Sequence, residues 1–306
     1  MDWLKRAAGL RQWTRGGARA PHKPLLLLYA LARFQEDPGG GLRYSAVEDD
    51  LRRLLAEYGP PHRTTPAYPF HHLVGDGLWE VQTDLGGVSP GTGVRALRES
   101  GATGRLVPEL RQELRREPGR LGELVRLLLD AHFPPSLHEE LSDAVGLMPT
   151  SVPMPTPVEL DGQRARYGYG YGRRQRRDPR IRERVLAAYD HRCAFCGFDG
   201  SLGTRPVGLE AAHVRWWAFE GPDALDNALC LCALHHKLFD KGVLGMERAE
   251  GGHQVLVSPL FDGSGETARL LVRDLAGRPL TGPRPGVPSV ADGHRDWHRG
   301  QVFRAA

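Results

Sequence analysis

Leu209-Glu-Ala-Ala-His213, Asp226-Asn227 and Cys232-Ala-Leu-His235-His236-Lys-Leu-Phe-Asp240 are the segments that decide how the C-terminal half folds. His213, Asn227 and His236 follow one another at spacings of 14 and 9. Ala233 to Asp240 reads as a short helix. Residues three apart share a helix face, so Cys232 and His235 can bind one ion. Upstream, Cys193-Ala-Phe-Cys196-Gly197 is a tight turn presenting two thiolates. The two pairs make a Cys3His set, the tetrahedral donor set of structural zinc. Cys230 competes, because on a strand it lies on the same side as Cys232 and an all-cysteine set is conceivable. His235 is favoured because both pairs then have matching two-residue spacers, leaving Cys230 a small buried hydrophobe. His235 and His236 are adjacent and point about 100° apart on a helix. One can face zinc while the other faces a second ion.

The four cysteines all lie between 193 and 232. A disulfide scaffold would spread them through a small secreted chain, whereas clustering with histidines points to metal ligation. The job of this zinc is structural, since metal binding supplies folding free energy to a domain of short strands with little core. At 306 residues the chain is long enough for two domains. The longest apolar run, Leu25 to Leu31, is interrupted by Tyr29 and is too short to span a bilayer. No secretory pattern opens the chain, which favours the cytoplasm.

The net charge of +4 is unevenly placed: residues 1–150 carry 19 basic and 19 acidic residues, and 151–306 carry 22 and 18. Within 164–184 there are nine arginines and two acids. A local basic segment in a near-neutral chain suggests contact with a polyanion. Met148 to Pro157 is proline-rich, and Tyr167-Gly-Tyr169-Gly-Tyr171-Gly follows between arginines. Prolines and glycines deny this segment a regular element, so 147–177 reads as a linker, either a mere spacer or a tether whose tyrosines stack on bases and whose arginines pair with phosphates.

The first half reads as mostly helical. His22 to Gln35 is a leucine-rich run with Pro24 in its first turn. Ser45 to Tyr58 is amphipathic, with Ser45 as the expected cap and Val47, Leu51, Leu54 and Leu55 as the apolar stripe. Leu78 to Val81 reads as a strand after the Asp76-Gly77 turn. Helices are expected around Val107–Arg116, Arg120–His132 and Ser136–Val145. A new domain begins at Asp178 with a helix from Pro179 to Tyr189. In the tail, Val255–Val257, Arg269–Val272 and Gln301–Phe303 are expected to be extended. The Trp216-Trp217 pair reads as packing rather than base stacking.

The order His213, Asn227, His236 together with the four zinc ligands resembles the HNH endonuclease family, over about 180–250. The resemblance implies a ββα-metal domain hydrolysing DNA phosphodiesters. His213 would be general base, because histidine titrates near neutrality. Asn227 would orient its imidazole, and His236 would bind the catalytic Mg²⁺ or Mn²⁺ that acts on the phosphate. Many members have a metal ligand directly before the first histidine, and here that residue is Ala212. Glu210 is near, but on a regular strand it falls on the opposite face from His213, so the second protein ligand is left open.

Arg19-Ala-Pro21-His22-Lys23-Pro24-Leu25, Tyr68-Pro69-Phe70-His71-His72-Leu73 and Asp76-Gly77-Leu78-Trp79 lie outside any HNH fold. They resemble the sulfur-binding domain of McrA-like restriction endonucleases, which recognise phosphorothioate-modified DNA and place that domain before an HNH domain. The resemblance implies a shallow apolar cup of Tyr68 and Pro69 with His72 as third wall. Arg19, His22 and Lys23 would hold a flanking phosphate or read a guanine edge. A rival is a methylcytosine reader that flips the base into a cage of Tyr58, Tyr68 and Trp79. Another is a non-catalytic zinc-containing DNA-binding regulator.

The expected architecture is α+β in two domains. A mostly helical sulfur-binding domain spans 1–146, a linker 147–177, and an HNH domain with a zinc knuckle 178–306. The expected protein is a modification-dependent restriction endonuclease acting on double-stranded DNA, with no membrane partner and a homodimer plausible.

Overall fold

The computed structural model describes residues 2–10, 21–61, 64–147, 178 and 180–305. The chain divides into two compact units, Met1–Gly172 and Arg173–Ala306. The expected linker lies outside the described residues except Leu147.

In the first unit α1 (Trp3–Ala8), α2 (His22–Glu36), β1 (Leu42–Arg43), α3 (Tyr44–Tyr58), α4 (Ala67–His72), β2 (Trp79–Gln82), α5 (Val94–Glu99), β3 (Thr103–Leu106), α6 (Pro108–Arg116), α7 (Gly119–His132) and α8 (His138–Val145) follow in order. α2 is the central helix: Leu25, Leu26, Leu27, Leu28 and Leu31 are all buried, each burial worth about 1.5–3 kcal/mol. α3 starts one residue earlier than the sequence suggests, with Arg43 at the cap position and no side-chain cap bond. Ser45 is therefore not the cap. Tyr44 is buried at the helix start, and burying that ring sets the boundary more strongly than a hydroxyl cap. A small antiparallel sheet in the order β1-β3-β2 closes the unit. Tyr44, Phe70 and Trp79 stack edge to face in the core, with centroids 5.1 and 5.5 Å apart.

In the second unit α9 (Ile181–Ala188) leads to the hairpin of β4 (Ser201–Leu202) and β5 (Arg205–Pro206). The ribbon of β6 (Leu209–His213) and β7 (Ala228–Cys232) follows. β7 runs directly into α10 (Ala233–Asp240), with Cys232 as its extended cap residue. β8 (Leu244–Ala249) and β9 (Gly252–Val257) form a second ribbon, and α11 (Glu266–Leu271) and α12 (Asp292–Gln301) complete the unit. Two tail expectations fail, since Arg269–Leu271 and Gln301 belong to helices. α12 is held by burial of Trp297 and His298, whose imidazole stacks on Phe239 at 3.7 Å. No helix among the described residues is long and apolar enough to cross a membrane.

Candidate functional site

The ββα arrangement places three groups of side chains around β6, β7 and α10. The first is the knuckle. Ligand atoms of Cys193, Cys196, Cys232 and His235 all lie within 4.8 Å of one another. His235 Nδ1 is 3.4 Å from Cys193 Sγ and 3.2 Å from Cys232 Sγ, near the roughly 3.5 Å that tetrahedral Zn–N and Zn–S bonds give. His235 Nε2 donates to the Leu271 carbonyl at 2.8 Å, which turns Nδ1 toward the sulfurs. The adjacent Cys196 and Cys232 thiols hold the Cys193 pKa well below the ordinary thiol range. Cys230 stands apart. It is fully buried in the core of this unit, and burial pushes its thiol up to about 12. The donor set therefore fits zinc through His235.

The second group surrounds His236. Its Nδ1 meets Glu210 Oε2 at 2.6 Å, and its Nε2 meets Asp240 Oδ2 at 3.2 Å. Asp240 is buried and also accepts from Trp216 Nε1 at 2.9 Å. Burial opposes a charged imidazole here, but Asp240 and Glu210 more than offset it and lift its pKa to about 10. The Glu210 carboxyl is held below its usual range, chiefly by its bond to His236. β6 and β7 pair in unbroken register from Leu209–Cys232 to His213–Ala228, and Glu210 meets His236 of α10 from this regular strand. Ala212 is fully buried.

The third group surrounds His213, whose Nε2 meets Asp223 Oδ1 at 2.7 Å. The Trp217 ring lies edge-on to it at 6.5 Å. Asn227 does not meet the imidazole. It is fully buried, and its side chain serves the backbone. Oδ1 accepts from Arg215 N at 2.8 Å, while Nδ2 donates to Arg215 O at 3.0 Å and Pro222 O at 2.9 Å. The expected direct orientation of His213 by Asn227 is thus corrected: Asn227 clasps the loop that carries Asp223. Gly221 is part of this clasp, because a Cβ there would meet Arg215 O at 1.8 Å. The two tryptophans divide their roles. Trp216 is buried packing, and Trp217 lies beside His213. Asp223 and Asp240 escape a reading of the sequence, since neither stands at a motif position. Asp240 alone carries a local signal, four residues after His236 on one helix face.

In the first unit, Tyr68 is 36% exposed on α4. Its ring lies 4.3 Å from His72 and 6.5 Å from His22. Burial first, then His71 and Lys23, lower the His72 pKa, so that ring is neutral near pH 7. Pro69 is buried in the same helix. Lys23 departs from expectation: Nζ is 2.6 Å from Asp76 Oδ2, with side chains 12% and 3% exposed. It is committed to an inward ion pair rather than presented to a ligand. Arg19 lies outside the described residues. A methylcytosine cage is not formed by the expected residues. Tyr58 and Trp79 are 2% and 1% exposed, bonded to Glu140 and to the Phe70 carbonyl.

A histidine–carboxylate pair at the end of a two-stranded ribbon, a second histidine on the next helix and a thiolate knuckle define a ββα-metal nuclease domain. Residues 193–247 match the family model of the HNH endonucleases, and residues 1–150 match the model described as ScoMcrA-like, DNA sulfur-binding domain. One chain thus carries a stretch similar to the ScoMcrA-like DNA sulfur-binding domain ahead of a stretch similar to the HNH endonucleases. Among solved structures it is similar to the sulfur-binding domain of ScoMcrA complexed with phosphorothioated DNA (22% identity, 47% of this chain and 99% of that chain, TM-score 0.40). The corresponding SprMcrA complex is 25% identical, with coverage of 47% and 93% and a TM-score of 0.39. The type IV phosphorothioation-dependent restriction endonuclease ScoMcrA is 21% identical, and this chain spans 31% of its length, with 51% of this chain covered and a TM-score of 0.38. No curated protein matches the chain.

Proposed function

We propose that the protein is a modification-dependent DNA endonuclease that binds a phosphorothioate-bearing duplex through its first unit and hydrolyses a nearby phosphodiester with its second. The observation that carries this reading is the joining, in one chain, of a stretch matching a sulfur-binding domain model and one matching an HNH endonuclease model, and the sequence order His213, Asn227, His236 supports it. The domain limits that fit are 1–146 and 178–306, with 147–177 as an arginine-rich tether along the backbone.

Sulfur in place of a non-bridging phosphate oxygen is larger, softer and poorly hydrated. An apolar cup discriminates against oxygen, which would shed water without gaining a hydrogen bond. Tyr68 and His72 supply exposed and neutral ring faces for such a cup, with Pro69 buried in the same helix. His22 stands beside Tyr68 and Arg19 lies in the preceding segment, where each would contact the flanking phosphate or a base edge. The Tyr68→Ala protein is expected to lose most of the preference for a phosphorothioate duplex over its oxygen twin. Competition binding of the matched duplexes checks this, and an undiminished preference would remove Tyr68 from the cup.

Cys193, Cys196, Cys232 and His235 hold zinc in a structural role. His213 takes the proton of the attacking water, and Asn227 keeps the loop behind it closed. His236 and Glu210 hold the divalent ion, Mg²⁺ or Mn²⁺. Asp240, buried and bonded to Trp216, accepts from His236 Nε2 and leaves Nδ1 toward Glu210. When bound, that ion supplies Lewis acidity toward the scissile phosphate. Glu210→Gln is expected to weaken Mn²⁺ binding by about tenfold or more, the scale of losing a ligating group or its support. Calorimetric titration of the zinc-loaded protein reads this directly, and unchanged affinity would exclude Glu210 as a ligand. With one nuclease site per chain, cutting both strands takes two copies or two events. A homodimer on DNA is the simpler arrangement, and a monomeric mass for the complex in sedimentation would count against it. Reduced thiols as ligands favour the cytoplasm, which fractionation tests.

A further inference from the structure

Asp223 sits in the loop between β6 and β7, ten residues beyond His213. Its side chain is 7% exposed, and both oxygens are engaged. Oδ1 lies 2.7 Å from His213 Nε2, and Oδ2 accepts the backbone N–H of Asp178 at 2.6 Å. The chain just before it is fixed, by Asn227 on the Pro222 carbonyl and by the close approach of Gly221 to Arg215. A buried carboxylate anchored at both oxygens has little freedom to turn away from the imidazole.

We propose that Asp223 is a positioning residue that sets the tautomer of His213 and so selects Nδ1 as the nitrogen that acts as base. The inference rests on the nuclease reading above and deepens it. A neutral imidazole carries one N–H and one lone pair. A carboxylate facing Nε2 draws the N–H there and leaves the lone pair at Nδ1. In the reaction, the oxygen of water bonds to phosphorus while its proton passes to Nδ1. The P–O ester bond breaks, and the leaving oxygen takes a proton from solvent. Asp223 remains an acceptor throughout and stabilises the imidazolium as it forms, the role an orienting carboxylate plays beside other catalytic histidines. The Asp178 amide fixes the carboxylate from the first residue described after the expected linker, so the entry of the chain into this domain and the aim of the base are built on one side chain.

Asp223→Asn is the incisive change because the Asp178 N–H is an obligate donor. The amide oxygen must face Asp178, which turns the NH₂ group toward His213. Nε2 must then become the acceptor, and the ring proton moves to Nδ1. The expected result is a fall in kcat of about a hundredfold or more, the scale of general-base catalysis, with KM and DNA affinity unchanged. Nitrogen-15 NMR, assigned against the His213→Ala protein, is expected to show Nε2–H at His213 in the parent and Nδ1–H in the variant. A parent spectrum with Nδ1–H overturns the proposal even if the variant does not fold. So does a folded, zinc-loaded variant that cleaves at the parental rate. If His213→Ala itself keeps full cleavage, the nuclease assignment fails. If only Asp223→Asn does, the tautomer proposal alone fails.

Discussion

The His213→Ala protein is expected to bind its DNA as the parent does and to cut it at least about a hundredfold more slowly, since a positioned general base contributes roughly 10²–10⁴. The expectation follows from how the residue is held. His213 ends β6 in regular register opposite Ala228, so the strand fixes its Cα, and Asp223 and Trp217 fix the ring. Its side chain is 23% exposed, enough to reach a water on a bound phosphate. The ring lies outside the hydrophobic core of this unit, so truncation should leave folding and zinc content intact. A steady-state rate beside a binding isotherm separates the two effects. A protein that only binds DNA would show no change on either axis, and that outcome would favour the regulator reading over the enzyme.

Stripping the metal ion that the Cys3His set could hold is expected to have the largest effect on stability, and on one half of the protein only. The knuckle joins the Cys193–Cys196 turn to the start of α10, and His235 bridges onward to Leu271. Apparent binding free energies of structural zinc are on the order of 10 kcal/mol near neutral pH, comparable with the stability of a whole domain. Strong chelation, or Cys232→Ser, should therefore abolish the thermal transition of the second unit. The first unit has its own core of buried leucines and aromatics, and its transition should persist. Calorimetry with and without chelator reads both, and two unshifted transitions would show that the cluster is merely a set of packed thiols.

The parts of the site legible in the sequence were those that a local period or a fixed spacing encodes. α10 was readable because Cys232 lies three residues before His235 and four before His236, the neighbour distances of a helix. α2 was readable from its leucines. Asp223 carries no such mark. It is one acid among many, brought to His213 by a loop whose closure depends on the buried Asn227, and side-chain-to-backbone clasps leave no period. The role of Asn227 was misread for the same reason. The sheet β1-β3-β2 was largely missed because two- and four-residue strands are too short to show alternation. In the tail, α11 has no buried residue among those described. It has no apolar stripe, and its leucines suggested a strand instead. Lys23 looked like a phosphate ligand by its neighbours in the chain, but Asp76, 53 residues away, takes its charge.

One measurement bears on the whole account. Two duplexes identical except for a single Rp phosphorothioate are incubated with the protein in Mn²⁺ and in EDTA. Cutting of the sulfur-bearing duplex alone, and only with the metal, is the expected result, because the first unit delivers that duplex to the second. Equal cutting of both would contradict mark-directed delivery and leave a nuclease without a sulfur reader. Cutting of neither, with the modified duplex tightly bound, would contradict the assignment of His213 and His236 to a working nuclease.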